Sequence, residues 1–227
     1  MPLLKVWGRP TSTNTQRVLW TLVEAGVPYE LMLASATTGA KGYVWRGETP
    51  FGIVDTPAYR SMNPNGTIPT IDDDGFVLWE SDAIVAYLAR RYAPAGLFGG
   101  SETTFARALQ WMIWTNYSLD PAVHALVMHL ERLPADQRSA DTVEASRRDV
   151  VRKLDLMEAQ LGRARYFAAD AFTIGDIPLA ISTQRFFHFG LERPHLPRVA
   201  QWLARLGERE GFRKHVAPRE NHLPFKD

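Results

Sequence analysis

Residues 65–81 read NGTIPTIDDDGFVLWES. Pro69 lies inside TIPTI, among β-branched residues that favour a strand. Proline lacks an amide hydrogen and cannot donate to a strand ladder, so it is confined to edges and strand starts. TIPTI is therefore read as a strand opened by its proline. GFVLWE is a second short strand, and DDDG between them carries the residues of a tight turn, with glycine at its end. The two form a hairpin. The second strand runs into Glu80 and Ser81, an acid and a hydroxyl. There the helix SDAIVAYLARRYA begins, with Ile84, Val85 and Leu88 on one side.

Upstream, LKVWG (4–8) reads as a strand, and RPTSTN supplies loop and helix-start chemistry. TQRVLWTLVEAG carries Val18, Leu19, Leu22 and Val23 at helical spacing, and Gly26 stops the helix. YELML (29–33) returns to a strand, completing a βαβ unit with parallel strands. Residues 34–57 contain four glycines, two prolines and no clear period, and read as a long loop of the kind that is often functional. AYRSM is one helical turn. The first 92 residues thus run β-α-β-loop-β-β-α.

APAGLFGGSET (93–103) is a Pro/Gly-rich break. From 104 to 227 only helical patterns follow. One opens at FTIGDIPLA, where Thr173 is the expected N-cap and Asp176 stands three residues on, as in a capping box. The division is an α/β domain (1–92), a linker (93–103) and an all-helical domain (104–227).

The bulk composition narrows the classes. Of 227 residues 45% are hydrophobic and 22% charged, enough for an ordinary core. A net charge of +1 gives no whole-chain pull toward nucleic acid or an anionic membrane. The absence of cysteine excludes disulfides, cysteine-bound zinc and a protein thiol nucleophile. His124 and His129 are five apart, off the i, i+4 spacing of one helix face, and no metal is expected. No apolar run approaches the roughly 20 residues of a membrane span, and MPLLKVWGRPTST lacks the apolar core of a signal peptide. The expectation is a cytoplasmic protein.

NPNGTIPTI and LWESDAIVAYLARRY, followed by FTIGDIPLA in the helical half, resemble a cytosolic glutathione S-transferase, similar to bacterial theta- and nu-like members. The resemblance covers essentially the whole chain. It implies a thioredoxin-like N-terminal domain with a mixed sheet and a cis proline, followed by an all-helical domain. It also implies glutathione as co-substrate, a hydrophobic electrophile or a disulfide as second substrate, and a homodimer.

By this resemblance Pro69 turns the Ile68 backbone outward, so that its N–H and C=O pair with the cysteinyl unit of glutathione. Glu80 and Ser81 suit the γ-glutamyl zwitterion. Glu80 accepts from the ammonium, while the helix N-terminus and the Ser81 hydroxyl take the carboxylate. The thiol needs activation, because at a pKa of about 8.5 only a few per cent is thiolate at pH 7. One hydroxyl at the mouth of the first helix suffices. Serine-type members carry it six residues before the apolar position that Val18 matches, which points to Ser12. Asn14 falls where bacterial members similar to disulfide-bond reductases have a thiol-contacting asparagine. It is a partner or a rival, with Thr11 and Thr13 behind. Trp7 and Gly8 stand where tyrosine-type members carry their tyrosine.

Lys41 and Arg46 are candidates for the glycine carboxylate. Trp111, Trp114 and Tyr117 lie on one helical flank, and Trp114 or Tyr117 is expected to line an apolar second-substrate pocket. Conjugation, disulfide or peroxide reduction and isomerisation stay open within this reading. A non-catalytic glutathione-binding or assembly module is the alternative from another class.

Overall fold

The structure is a computed structural model that describes residues 3–35, 44–45, 49–50, 52–54, 56–93 and 95–218. Strand β1 (Leu4–Gly8) leads into α1 (Thr13–Glu24) and then β2 (Tyr29–Ser35). Helix α1 starts where Ser12, in extended conformation, accepts a hydrogen bond from the Thr15 amide at 3.3 Å. It ends where Gly26 takes φ +66°, a conformation that costs glycine little. Val18, Leu19, Trp20 and Leu22 are fully buried along it.

One short antiparallel pair, β3 (Val44–Trp45) with β4 (Thr49–Pro50), precedes β5 (Gly52–Ile53) and α2 (Pro57–Arg60). β5 joins β2 in parallel, opposite Ala34 and Ser35. A segment that reads as loop therefore supplies an edge strand, too short to carry a period of two. The hairpin follows as β6 (Thr70–Asp73) and β7 (Phe76–Trp79), then α3 (Ser81–Tyr92). The Ile68–Pro69 peptide is cis, and β6 begins one residue later. Asp74 and Gly75 both have positive φ, 54° and 89°, the two-residue turn whose twist matches that of paired strands. The five-stranded sheet has the order β5-β2-β1-β6-β7, with β1, β2 and β5 parallel and β6 antiparallel to both its neighbours.

The second half has helices and turns but no strand among its described residues. α4 (Glu102–Trp114), capped by Ser101, passes into a wide π-type turn at Thr115–Leu119. α5 (Asp120–Val127) passes into another at Met128–Arg132, where the Leu133 amide reaches back to the Met128 carbonyl at 2.8 Å. α6 (Ala140–Gln160), α7 (Asp176–His188), α8 (Pro197–Gly207) and α9 (Glu210–His215) complete the chain. Helix α1 is the junction of the two halves. Its Trp20 stacks on Phe172 at 5.7 Å and meets Phe212 edge-on at 5.4 Å. A Cβ on Gly211 would lie 2.1 Å from Trp20, so glycine is what lets α9 approach.

The capping motif differs from the expectation at Thr173. The helix starts at Asp176, and Thr173–Gly175 form a separate turn before it. Asp176 is fully buried and accepts from the amides of Thr173 (3.1 Å) and Phe167 (3.2 Å) and from Trp202 Nε1 (3.0 Å). Its carboxylate thus reaches back to Thr173 N–H as the second half of a capping box does, and ties α8 to the same point. Burial pushes the Asp176 carboxyl up to about 6 against these donors. Among the described residues no helix is long and apolar enough to cross a membrane.

Candidate active site

Register places the predicted site at one end of the sheet. Thr70 pairs with Trp7 on one side and Trp79 on the other. The loop after Gly8, the Ile68–Pro69 bond and the Glu80–Ser81 step therefore emerge together. A Cβ on Gly8 would lie 2.5 Å from Thr15 Oγ1, so this position admits no side chain, tyrosine included.

The loop from Arg9 to Thr13 is tightly held. Gln16 Nε2 donates to the Pro10 carbonyl at 2.7 Å, Arg9 to Thr11 Oγ1 at 2.9 Å, and Arg185 of α7 to the Thr11 carbonyl at 3.2 Å. Thr11 is buried, with its hydroxyl accepting from Arg9. Ser12 is half-buried, and its oxygen spends one lone pair on the Thr15 amide. A hydroxyl used as acceptor keeps its proton to donate elsewhere. Asn14 is exposed.

The cis-proline loop is braced from behind. Asn63 Nδ2 donates to the Thr67 carbonyl at 2.9 Å and to Thr70 Oγ1 at 3.0 Å. Tyr59 Oη lies 2.8 Å from the same carbonyl and 2.6 Å from the same hydroxyl. Ile68 is half-buried and Pro69 buried. Asn63 is the first residue of NPNG. The sequence displayed it as motif, but only the fold shows that it fixes the residue before Ile68.

Helix α3 starts without a side-chain cap. Glu80 occupies the cap position with φ 71° and ψ 113°, a backbone state that non-glycine residues rarely adopt and that the surroundings must impose. Ser81, buried, is the first helical residue rather than the cap. Asp82 opens a charge network centred on buried Arg17. Arg17, 1% exposed, donates to Asp82 Oδ1 at 3.0 Å, to Asn116 Oδ1 at 2.6 Å and to Asp120. Asn116 donates to Asp82 Oδ2 at 2.8 Å, and Ser182 to Asp120 at 2.5 Å. One guanidinium so connects α1, the start of α3 and the start of α5.

A cavity of about 370 Å³ opens between the two halves beside the mouth of α1. Thr11, Ser12, Thr13 and Asn14 line one side. Asn116, Asp120, His124, Arg132, Ser182 and Arg185 line the other, with Pro121, Val123 and Val127 as its apolar part. Trp114 and Tyr117 are not in this lining. Trp114 packs edge-on against Trp111 at 5.4 Å, and Trp111 against Phe167 at 4.8 Å, so the tryptophans face the core. Tyr117 is 83% exposed. The wide turn beginning at Thr115 breaks the α spacing that put the three aromatics on one flank. Lys41 and Arg46 lie outside the described residues. Among the described residues no cluster of three or more acidic or histidine side chains is placed to hold a metal ion.

These elements define a thioredoxin-like domain joined to a helical one, with the cis-proline loop, a helix mouth and an interdomain cavity in one region. Two family models match: the glutathione S-transferase N-terminal domain over residues 11–91 and the C-terminal domain over 112–210. Glutathione S-transferase GstB of Escherichia coli (strain K12) is 35% identical over 216 residues, covering 94% of this chain and 98% of the relative. Glutathione S-transferase 3 of Zea mays is 32% identical over 227 residues, covering 96% of this chain and 95% of the relative. A crystal structure of a theta class glutathione S-transferase from Xanthomonas axonopodis pv. citri with glutathione bound superposes with a TM-score of 0.83. It is 36% identical and covers 96% of this chain and 99% of that one. The chain belongs to the glutathione S-transferase family.

Proposed function

We propose that the enzyme binds glutathione along the shared end of β1, β6 and β7 and bonds it, through its sulfur, to a small electrophile in the interdomain cavity. The Ile68 backbone pairs with the cysteinyl unit. Glu80 and Ser81 hold the γ-glutamyl end at the N-terminus of α3. Ser12 donates to the thiolate with Asn14 beside it, and Lys41 or Arg46 takes the glycine carboxylate. The apolar part of the electrophile rests on Pro121, Val123 and Val127. The observation that carries this reading is Ser12, which faces the cavity with its oxygen fixed by the Thr15 amide and its proton left to donate. The glutathione bound in the Xanthomonas relative supports the co-substrate.

The test is retention on immobilised glutathione followed by turnover of 1-chloro-2,4-dinitrobenzene and of a mixed glutathione disulfide. Conjugation of the aryl chloride is expected. Turnover of the disulfide alone would shift the reading to a reductase, and retention without turnover of either would leave a binding module.

We further propose a cytoplasmic homodimer. Phe76, 48% exposed and 4.9 Å from Tyr87, gives the hairpin and α3 an apolar surface to share with a second copy. A light-scattering mass near 25.6 kDa at micromolar concentration would refute the dimer.

A further inference from the structure

We infer that Tyr59, Asn63 and Thr70 are positioning residues: a closed ring of hydrogen bonds behind Ile68 aims its amide at the peptide backbone of glutathione and so sets the affinity for it. The inference rests on the reading of Ile68 as the residue that pairs with the cysteinyl unit. It names the groups that hold that residue in place.

The chemistry of the donors fixes every direction in the ring. The Asn65 amide donates to Asn63 Oδ1 at 3.0 Å, which turns Asn63 Nδ2 toward Thr67 and Thr70. One Nδ2 hydrogen reaches the Thr67 carbonyl at 2.9 Å and the other Thr70 Oγ1 at 3.0 Å. A carbonyl only accepts, so the 2.8 Å contact to it uses the Tyr59 hydroxyl proton. Tyr59 has no second proton, so Thr70 Oγ1 donates across the 2.6 Å contact between the two hydroxyls. Every hydrogen of the three side-chain groups is then used, and so are both lone pairs of the Thr67 carbonyl. Tyr59 is 5% exposed, and Asn63 and Thr70 are fully buried. Burial raises the Tyr59 phenol above its ordinary value, with the Thr70 hydrogen bond opposing, and the hydroxyl keeps its proton at neutral pH.

The carbonyl held by the ring shares one peptide unit with the Ile68 N–H. That unit is trans, so its C=O and N–H point in opposite directions. Fixing the carbonyl on the ring therefore fixes the N–H on the other side. Among the described residues the Ile68 N–H has no protein acceptor. The Ile68 side chain packs against the small cluster of Ala34, Val54 and Tyr59. One tyrosine thus holds Ile68 by its peptide plane and by its side chain. A donor oriented before the ligand arrives reduces the ordering cost of binding. None of the three residues lines the cavity beside Ser12, so the ring acts on the peptide part of glutathione and not on its sulfur.

The test uses Tyr59→Phe, Thr70→Val and Thr70→Ser, with circular dichroism and thermal melting to show that each folds. Calorimetry with S-methylglutathione is expected to give about fivefold weaker binding in Tyr59→Phe and Thr70→Val, the scale of one net hydrogen bond. Thr70→Ser keeps the hydroxyl and recovers most of that loss. In turnover of 1-chloro-2,4-dinitrobenzene the first two variants raise KM for glutathione by a similar factor, while kcat at saturating glutathione stays within about twofold. Unchanged affinity in folded Tyr59→Phe and Thr70→Val would overturn the inference. So would a fall in kcat at constant KM, because the ring would then serve the thiol. Failure of the parent enzyme to bind S-methylglutathione would overturn the glutathione reading and this inference together, and the parent alone reveals it. If the parent binds S-methylglutathione but turns over no aryl chloride, the calorimetric comparison decides by itself.

Discussion

Ser12→Ala is expected to lower turnover at pH 7 by roughly 10- to 100-fold, with a much smaller change in glutathione affinity. A hydrogen bond to a charged group contributes about 1.5–3 kcal/mol, and one pKa unit corresponds to about 1.4 kcal/mol. Removing the donor should therefore raise the pKa of the bound thiol by about one to two units. The rate then recovers as pH rises toward that of free glutathione, so the loss is large at pH 7 and small near pH 10. Ser12 also caps α1, and loss of the cap alone costs about 1 kcal/mol. Ser12→Gly separates the roles, because glycine at a cap costs only a few tenths of a kcal/mol yet supplies no hydroxyl. Both variants should show the same displaced pH–rate profile, while alanine alone lowers the melting temperature. If the profile stays put in both and moves instead in Asn14→Ala, the asparagine holds the thiolate.

Arg17→Leu is expected to destabilise the enzyme by about 3–5 kcal/mol in denaturant titrations at pH 7, the scale of a buried ion pair that has lost one member. Burial pulls the Arg17 guanidinium down, yet Asp120 and then Asp82 outweigh it and leave it raised. Burial holds the Asp82 carboxyl above its usual value, with Arg17 pulling it down. A carboxyl raised in the folded state makes its contribution at low pH and loses it as pH rises through the folded value. Without Arg17, Asp82 rises further and faces Asp120 across the vacated centre. The deficit of Arg17→Leu should therefore be greatest at neutral pH and shrink on acidification below about pH 5. Glutathione affinity should fall with it, since Asp82 adjoins Ser81. Neutralising all three in Arg17→Met/Asp82→Asn/Asp120→Asn should recover much of the stability. A single variant within about 1 kcal/mol of the parent would mean that the two halves do not depend on this arginine to dock.

How much of this was readable in advance varies with the range of the interactions. Pro69, the DDDG turn and the Glu80–Ser81 step act locally, so the hairpin and the start of α3 are written in adjacent residues. β5 pairs across only two residues, and no periodicity survives at that length. Arg17 looks like one polar position on an amphipathic helix. Its partners stand 65 and 103 residues away, and nothing local announces them. The same holds for the cavity. Ser12 and Asn14 were legible because they cluster at one helix mouth. Arg9, Arg132 and Arg185 come from three separate segments and become neighbours only after folding. Tyr117 stands outside the cavity lining because the wide turn at Thr115 interrupts the helical spacing, whereas Trp114, still within α4, packs on Trp111.

The two wide turns, at Thr115–Leu119 and Met128–Arg132, bracket the helix that carries Asp120 and His124 to the cavity. Each accommodates one residue more than a regular turn. In an α-helix a residue amounts to about 100° of rotation and about 1.5 Å of advance. Deleting a single residue from the first turn would swing α5 beyond it by that angle, exchanging most of one cavity wall at a stroke. Related chains can thus acquire a different cavity wall through one-residue insertions and deletions, with the mouth of α1 across the cavity left untouched.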